Sequence, residues 1–147
     1  RYDRKIIAEE AIIGREFESA VLGNETIHVS GIGEVLSAGE FYDYDAKYNN
    51  PDSRTVIPAN LDEASVEEMR RIAAKVFRAV DCSGLARVDF FLREKDHKVI
   101  FNELNTMPGF TNISMYPKLW EAAGVSLGEL VDTLITLALE RDNGIRG

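Results

Sequence analysis

The sequence predicts an α+β fold, mainly an antiparallel sheet flanked by helices. Three observations indicate this fold class. β-Branched residues are frequent from Lys5 to Leu36, apolar residues follow helical spacing from about Val66 to Val80, and two strand-like runs, Leu85–Leu92 and Val99–Leu104, flank a charged connector. A chain of 147 residues, 45% of them hydrophobic, is long enough to bury one core. We therefore expect one domain.

The first third of the chain is predicted to be mostly sheet. Gly14 is expected to interrupt it, and Gly23-Asn24-Glu25 is typical of a hairpin turn. Residues Ala38 to Asn60 then change character, because they are polar and aromatic, follow no clear period and contain turn formers. Loops of this length in compact domains are often functional lids, and four aromatic residues within Phe41–Tyr48 argue against plain disorder.

Three helices are predicted in the rest of the chain. The first runs from about Val66 to Val80, with Ser65-Val66-Glu67-Glu68 as a candidate capping box. Pro117 opens a short second helix, which Gly124 ends. The third begins at Ser126-Leu127-Gly128-Glu129. It is expected to place these apolar side chains on one face: Leu127, Leu130, Val131, Leu134, Ile135 and Ala138.

The charge balance and the cysteine content exclude several function classes. Lys and Arg total 17 against 25 Asp and Glu, and the formal net charge of −8 would repel nucleic acid and anionic membranes. The single Cys82 cannot form an internal disulfide, and the longest apolar run is shorter than the roughly 20 residues of a membrane helix. We therefore expect a cytoplasmic protein. Because the sequence starts at Arg1 and not with an initiator methionine, we expect it to be part of a longer chain, and its first residues show no signal peptide pattern.

Polar residues at alternate positions of the two later strands form the main candidate site. Arg87 and Asp89 are two residues apart on one strand, and Glu103 and Asn105 on the next, so each pair projects from one strand face. If Asp96 lies at the middle of the hairpin, Arg87 opposes Asn105 and Asp89 opposes Glu103. A slip of one residue would divide this group between the two faces. The flanking residues would line the core on the opposite face: Val88, Phe90, Leu92, Phe101 and Leu104.

The expected pairing of Asp89 with Glu103 raises the question of a bound cation. Two adjacent carboxylates repel each other unless a cation joins them. An oxygen-only set of Asp, Glu and Asn suits octahedral Mg²⁺, with phosphate oxygens and water completing the shell. With two histidines and one cysteine in the chain, a zinc site is not expected. The alternative is a solvated hairpin face on which Arg87 pairs with a nearby acid, and the spacing alone leaves both interpretations open.

A segment after the second of these strands adds another motif. Thr106-Met107-Pro108-Gly109-Phe110-Thr111 combines a rigid turn with an exposed backbone at Gly109 and hydroxyls that could bind an anion. Taken in order, the motifs resemble D-alanine–D-alanine ligases, members of the ATP-grasp superfamily. Their C-terminal signature is similar to Ala86–Phe91, Phe101–Thr111 and Ser114–Pro117, their active-site lid to Phe41–Tyr48, and their adenine-hinge and ribose-binding segment to Glu9–Ile12 with Arg15–Phe17.

The resemblance implies both a domain and an activity. Residues 1–147 would be a fragment that holds the C-terminal ATP-grasp domain, without the N-terminal domain that binds the first D-alanine and without the early ATP-grasp segment. The family ligates two D-alanines with ATP through an acyl phosphate, which supplies D-alanyl-D-alanine for peptidoglycan. The partners implied are ATP and D-alanine, in a cytoplasmic homodimer. The isolated fragment is expected to be inactive, because one substrate site and half of the phosphate clamp lie elsewhere.

The resemblance also implies roles for individual residues. Asp89, Glu103 and Asn105 would ligate two Mg²⁺ ions, or Mn²⁺, at the ATP phosphates. Arg87 and the backbone N–H of Gly109 would stabilise the tetrahedral oxyanion, and Lys47 would hold the transferring phosphoryl group. The second D-alanine would meet Ser114, Met115 and Tyr48, and the ATP site would comprise Glu9, Glu10, Ala11, Ile12, Glu16, Phe41, Phe91 and Asn102. The stretch Glu9–Ile12 is expected to be a strand that meets the adenine edge.

Two other functions compete with this interpretation. One is a D-alanine–D-lactate ligase or another ATP-grasp carboxylate–amine ligase, which would share the metal site and differ near Tyr48 and Ser114. The form Asp45-Ala46-Lys47-Tyr48 is similar to that of the dipeptide-forming enzymes and favours D-alanine in both subsites. The other is a non-catalytic module that binds nucleotide or Mg²⁺. The ordered motifs favour the enzyme.

Overall fold

The computed structural model describes residues 4–36 and 54–141. Five strands form one antiparallel sheet in the order β3-β2-β1-β4-β5, so β1 is central. The elements in chain order are β1 (Gly14–Gly23), β2 (Ile27–Leu36), β3 (Arg54–Val56), α1 (Glu63–Ala79), β4 (Gly84–Arg93), β5 (Val99–Asn105), α2 (Met115–Ala122) and α3 (Leu127–Glu140). The sheet with flanking helices is the fold class that the sequence predicts.

Each face of the sheet carries its own apolar cluster. Helix α1 covers one face, called the α1 face, while α2 and α3 pack on the other, called the α2 face. This division follows from the alternation of side chains along the central strands. The buried members on the α1 face are Phe17, Val21, Ile32, Met69, Ala73, Phe77, Ala86, Val88, Phe90 and Leu92. Those on the α2 face are Ala20, Leu22, Met115, Tyr116, Leu119, Trp120 and Leu130.

The first hairpin confirms the turn predicted at Gly23-Asn24-Glu25. Gly23 has a φ of 134°, and a Cβ atom there would lie 2.1 Å from the carbonyl oxygen of Thr26. Glycine is therefore required at this position, because any side chain would collide with the turn. The Asn24 side chain joins the turn to two other elements, since Nδ2 donates to the Leu137 carbonyl at 2.9 Å and Oδ1 accepts from the Gly84 N–H at 3.2 Å.

The stretch before Gly14 differs from the prediction. Residues 5–13, including the Glu9–Ile12 segment that the resemblance makes a strand, form no strand. Ile6 and Ile7 are 94% and 83% exposed. β-Branched residues favour a strand mainly when their side chains pack against neighbours, and these two side chains do not. Gly14 begins β1 instead of interrupting it. A Cβ atom at Gly14 would lie 2.2 Å from the Leu92 carbonyl oxygen, so the glycine permits the close approach of β1 to β4.

The helix starts are set by their caps. Helix α1 begins at Glu63, about a turn earlier than predicted, because Asp62 and not Ser65 is the N-cap. The Asp62 carboxylate accepts from the Ser65 N–H at 2.9 Å and from its hydroxyl at 2.7 Å. An acidic cap also interacts favourably with the helix dipole. Helix α2 begins at Met115, two residues before Pro117.

The ends of the later helices agree with the sequence analysis. The chain leaves α2 through Gly124, whose φ is 88°. Ser126 and Glu129 form the predicted capping box of α3, with both reciprocal bonds present. The expected apolar face of α3 is covered only in part, since Leu130 is buried while Leu127, Val131 and Ile135 are 52%, 40% and 55% exposed. The apolar face is therefore wider than the surface that the described residues bury.

In the part of the chain that the structure describes, no single helix has the length and apolar character needed to cross a membrane. Helices α2 and α3 meet these criteria only when taken together, and they are bent by 107° relative to each other.

The connector between β4 and β5 is held by an ion pair. Arg93 donates from Nε to Asp96 Oδ1 at 2.9 Å and from Nη2 to Oδ2 at 2.8 Å. These bonds lower the pKa of Asp96 to about 2 from its ordinary value of 3.8. The carboxylate therefore stabilises the folded chain above the ordinary pKa, and this contribution is lost as the pH falls toward about 2.

We expect the stability of the Asp96→Asn variant to depend less on pH than that of the parent in the acid range. The variant should lose part of its stability near neutral pH, where the bond to Arg93 is intact in the parent, and the difference should shrink toward about pH 3. Urea unfolding midpoints at the two pH values measure this. Glu94→Gln is the control, because it removes a neighbouring charge from the same connector. An equal Asp96→Asn deficit at both pH values would contradict the assignment.

Candidate functional site

Six polar side chains from three adjacent strands share the α2 face of the sheet. The strand pairing places Glu18 beside Asp89, Asp89 beside Glu103, and Arg87 beside Asn105, and Glu16 follows on the same face of β1. This group, called the acidic patch, consists of Glu16, Glu18, Arg87, Asp89, Glu103 and Asn105. It adjoins the part of β1 that α2 covers, where Ala20 and Leu22 are buried.

The register predicted for the β4–β5 hairpin is confirmed at the patch. Arg87 pairs with Asn105 and Asp89 with Glu103, as expected from a centre at Asp96. Between Asp89 and Phe90 the register shifts by one, so that Phe90 pairs with Phe101 and Asn102 is the additional residue of a β-bulge. Because of the bulge, the polar residues Glu103 and Asn105 of β5 lie on the α2 face, while Phe101 lies on the α1 face.

The apolar side of the hairpin agrees with the prediction except at Phe101. Val88, Phe90 and Leu92 are buried, and Leu104 packs partly buried against the same cluster. Phe101 packs edge-on against Phe90, with ring centroids 6.5 Å apart, but remains 39% exposed. Its expected place in the core is therefore only partly realised, because it lies on β5, the edge strand of the sheet.

Arg87 is the cationic centre of the acidic patch. Its Nε and Nη2 atoms donate to the two carboxylate oxygens of Asp89 at 2.8 and 2.7 Å, a bidentate arrangement. A second carboxylate is close, since Glu18 Oε2 lies 3.2 Å from Arg87 Nε. Arg87, Asp89 and Glu18 are 7%, 0% and 2% exposed. The interpretation of a solvated hairpin face is therefore wrong for these three side chains.

The patch fits a divalent cation. Carboxylate oxygens of Glu16, Glu18 and Asp89 lie within 4.8 Å of one another, and Glu103 is the neighbour of Asp89 on β5. These four acids share the face with the single guanidinium of Arg87, so the patch retains negative charge that a cation would offset. The ligands offered are all oxygens, as Mg²⁺ prefers. The Asn105 Oδ1 atom meanwhile accepts the Met107 N–H at 3.1 Å, which fixes the chain as it leaves β5.

The predicted ATP-binding residues divide into three groups. Glu16 and Phe91 are direct neighbours across β1 and β4, which places an acid beside an aromatic ring on the α2 face, and Asn102 lies at the bulge. Glu9, Glu10, Ala11 and Ile12 lie in the irregular segment before β1 and are largely exposed. Phe41, with Lys47 and Tyr48 of the predicted lid, lies outside the described residues.

The turn before α2 orders Ser114 next to Gly109. Ser114 holds the N-cap position of α2, but its hydroxyl makes no bond to the helix. It accepts instead from the Thr111 N–H at 3.0 Å and lies 2.9 Å from the Thr111 hydroxyl. A Cβ atom at Gly109 would lie 2.8 Å from this hydroxyl oxygen, so the glycine leaves room for it. The backbone of Gly109 is exposed, as predicted.

Helix α2 carries this turn onto the same sheet face as the acidic patch. Met115 is 6% exposed, and its sulfur would lie 2.7 Å from a Cβ atom at Gly33 of β2. The buried Tyr116 hydroxyl donates to the Val21 carbonyl of β1 at 3.0 Å. The start of α2 is thus fixed to the central strands by packing and by a buried hydrogen bond.

Sequence reasoning missed Glu18. The alternation of Phe17–Leu22 predicts a strand and no site role for this residue, whereas Glu16, two positions earlier, is predicted to bind nucleotide. An available signal is the spacing itself, since two acids at alternate positions of a strand share a face. That β1 is central, and therefore that Glu18 is buried beside Arg87, depends on the strand order, which local pattern does not reveal.

Comparison with known proteins identifies the family. The family described as D-ala D-ala ligase C-terminus matches residues 1–136. The chain belongs to this family. The D-alanine–D-alanine ligase of Acetivibrio thermocellus is 57% identical over 143 residues, which cover 97% of this chain and 38% of that protein. The chain therefore spans about two fifths of the length of this curated relative.

Solved structures of D-alanine–D-alanine ligases have the same fold. The ligase from Coxiella burnetii aligns with a TM-score of 0.77 and 44% identity over 90% of this chain and 34% of that one. The ligase from Bacillus anthracis, complexed with ATP, aligns with a TM-score of 0.72 and 30% identity over 89% of this chain and 41% of that one. The antiparallel sheet with flanking helices is therefore the ATP-grasp arrangement of the D-alanine–D-alanine ligase family.

Proposed function

We propose that the complete gene product containing this chain ligates two D-alanines to D-alanyl-D-alanine with ATP, for peptidoglycan precursor synthesis. The observation that carries the proposal is the acidic patch, in which oxygen ligands surround a buried arginine on a chain of this ligase family. In the first step a D-alanine carboxylate oxygen attacks the γ-phosphorus of ATP and ADP leaves. In the second, the amine of another D-alanine attacks the acyl carbon and phosphate leaves.

Asp89, Glu103 and Asn105 are the proposed ligands of two Mg²⁺ ions, or of Mn²⁺. Asp89 and Glu103 are cross-strand neighbours, and Asn105 follows on the same face. When bound, the ions neutralise the negative charge of the ATP phosphates during phosphoryl transfer. Carboxylate oxygens of Glu16, Glu18 and Asp89 lie within 4.8 Å of one another, and Glu103 pairs with Asp89, which supports a cation in this patch.

Arg87 and the Gly109 N–H are proposed to stabilise the oxyanion of the tetrahedral intermediate. The guanidinium is buried and held by two carboxylates, so it is oriented before the substrate arrives. A donor that is fixed in advance stabilises developing charge without reorganisation at the moment of reaction. The exposed backbone of Gly109, in a turn that leaves no room for a side chain beside Ser114, suits the second donor.

Ser114 and the Met115 N–H are proposed to bind the carboxylate of the second D-alanine. The Ser114 hydroxyl is not used to cap α2, and it lies at the positive end of that helix, where anions are favoured. Tyr48 is proposed to favour D-alanine over D-lactate as the second substrate. The lid residue Lys47 is proposed to hold the phosphoryl group; neither residue belongs to the described part of the chain.

ATP is proposed to lie along the start of the sheet. Glu16 would accept hydrogen bonds from the ribose hydroxyls, and its cross-strand neighbour Phe91 would pack against the nucleotide together with Phe41. Asn102 would add a polar contact, and the segment Glu9, Glu10, Ala11 and Ile12 would meet the adenine edge. Within residues 4–36 and 54–141 this segment forms no strand, so its backbone groups are not used in the sheet ladder.

The assay of the complete gene product with ATP, Mg²⁺ and D-alanine tests this proposal. We expect phosphate release together with D-alanyl-D-alanine, and little ester product when D-lactate competes. Asp89→Asn with Glu103→Gln should abolish turnover, whereas Glu25→Gln, in the exposed hairpin turn, should not change it. If the gene product turns over only with D-lactate, or with another acid and amine, the assignment of D-alanine to both substrate sites is wrong. Nucleotide binding without turnover would favour the non-catalytic module.

Assembly and location follow from the same proposal. We expect the gene product to be a cytoplasmic homodimer, on the basis of its family, and the 147-residue chain alone to form no dipeptide. Sedimentation of the gene product measures the assembly state.

A further inference from the structure

Asp89 has two competing roles in the acidic patch. Both of its carboxylate oxygens accept hydrogen bonds from Arg87, at 2.8 and 2.7 Å. If Asp89 is also a metal ligand, as in the proposed function on which this inference rests, a cation and the guanidinium share its oxygens, and each weakens the interaction of the other with this carboxylate. Arg87 is 7% exposed, so little of its surface is open to solvent that would compensate for a weakened contact.

Glu18 is placed to compensate for that weakened contact. It lies opposite Asp89 across β1 and β4, it is 2% exposed, and its Oε2 atom is 3.2 Å from Arg87 Nε. The same Nε atom is 2.8 Å from Asp89 Oδ1, so a small rotation moves this N–H from one carboxylate to the other. Glu18 is thus a second carboxylate beside the same Nε atom of the guanidinium.

We propose that Glu18 is a positioning residue that takes over Arg87 when Asp89 turns to the divalent cation. The exchange keeps a carboxylate on the Nε atom of the buried guanidinium, because weakening a partner of a buried charge is costly. It also keeps Arg87 at its place in the strand, where the oxyanion would form. Glu18 acts through Arg87 and requires no contact with the substrate or the metal.

Glu18 is therefore expected to affect the affinity for a divalent cation through Arg87. In Glu18→Gln, Arg87 loses one of its two neighbouring carboxylates in the patch, so it holds Asp89 more strongly against the cation. We expect the dissociation constant for Mn²⁺ to rise about 10-fold, which corresponds to about 1.4 kcal/mol. The measurement is the electron paramagnetic resonance signal of free Mn²⁺ during titration of the complete gene product without nucleotide. Glu18→Asp, which keeps the carboxylate, should restore most of the affinity, and Glu25→Gln should match the parent.

A double-mutant cycle separates this role from a plain charge effect. Without the guanidinium no competition exists, so in an Arg87→Met background Glu18→Gln should weaken Mn²⁺ binding less than about twofold. Two results would overturn the proposal. One is that Glu18→Gln weakens Mn²⁺ binding about 10-fold even in the Arg87→Met background. The other is that the single Glu18→Gln variant binds Mn²⁺ as the parent does. If Arg87→Met does not fold, failure of Glu18→Asp to restore the affinity overturns it equally. A gene product that passes the cycle but forms no dipeptide would contradict only the proposed function.

Discussion

In the complete gene product with the proposed activity, Arg87→Ala is expected to lower the kcat for D-alanyl-D-alanine formation by about 10²- to 10³-fold, the usual cost of losing one oxyanion donor. The loss should appear in kcat more than in the KM values, because the developing charge exists only after the substrates are bound. The variant also leaves Glu18 and Asp89 buried without their guanidinium. Removing one partner of a buried ion pair costs about 3–5 kcal/mol of unfolding free energy.

Steady-state kinetics and urea unfolding of the same preparation measure the two effects. Arg71→Ala is the matched control, because Arg71 is an exposed residue of α1 that pairs with Glu68 on the surface. Surface pairs of this kind contribute little, so its activity and stability should match the parent. An Arg87→Ala enzyme with parental kcat would remove the arginine from the catalytic machinery.

Phe77→Ala is expected to lower the unfolding free energy by about 3–5 kcal/mol. Phe77 belongs to α1, is 1% exposed and packs in the cluster between this helix and the sheet. The truncation would remove its apolar contacts and leave a cavity that its neighbours fill only partly. The unfolding transition monitored by circular dichroism in urea measures the loss. Unlike the Arg87 result, this expectation is independent of the proposed chemistry.

Val80→Ala, three residues later, is the control for this truncation. Its side chain is 57% exposed, so its removal should change stability by less than about 0.5 kcal/mol. Equal losses for the two variants would mean that α1 does not pack on the sheet as described.

The hairpin register could be predicted because β5 follows β4 directly and the pattern of charges is regular. Two polar pairs with a spacing of two residues, on either side of a short connector, leave few ways to place four polar groups on one face. Arg87 and Asn105, and Asp89 and Glu103, therefore lie where the sequence places them. The capping box at Ser126 could be predicted for the same reason, since its two partners are close in sequence.

Features that depend on distant parts of the chain, or on a choice between two equally good local signals, could not be predicted. The stretch before Gly14 has β-branched residues but no pairing strand among the described residues, and propensity alone does not form a strand. Asp62 and Ser65 are both good caps, and local sequence does not choose between them. The burial of Glu18 follows from the central position of β1. The roles assigned to Gly109, Ser114 and the lid remain predictions.

The bulge at Asn102 makes this hairpin sensitive to residue counting. Phe101 packs toward Phe90 on the α1 face, while Glu103, two positions later, belongs to the opposite face, so odd and even positions exchange their sides at Asn102. If Asn102 took part in regular pairing, Phe101 and Glu103 would share one face, and β5 could then satisfy either its aromatic packing or its ligand positions, but not both. We therefore expect homologous chains to vary in length within the connector and to keep the number of residues between Phe101 and Asn105 constant.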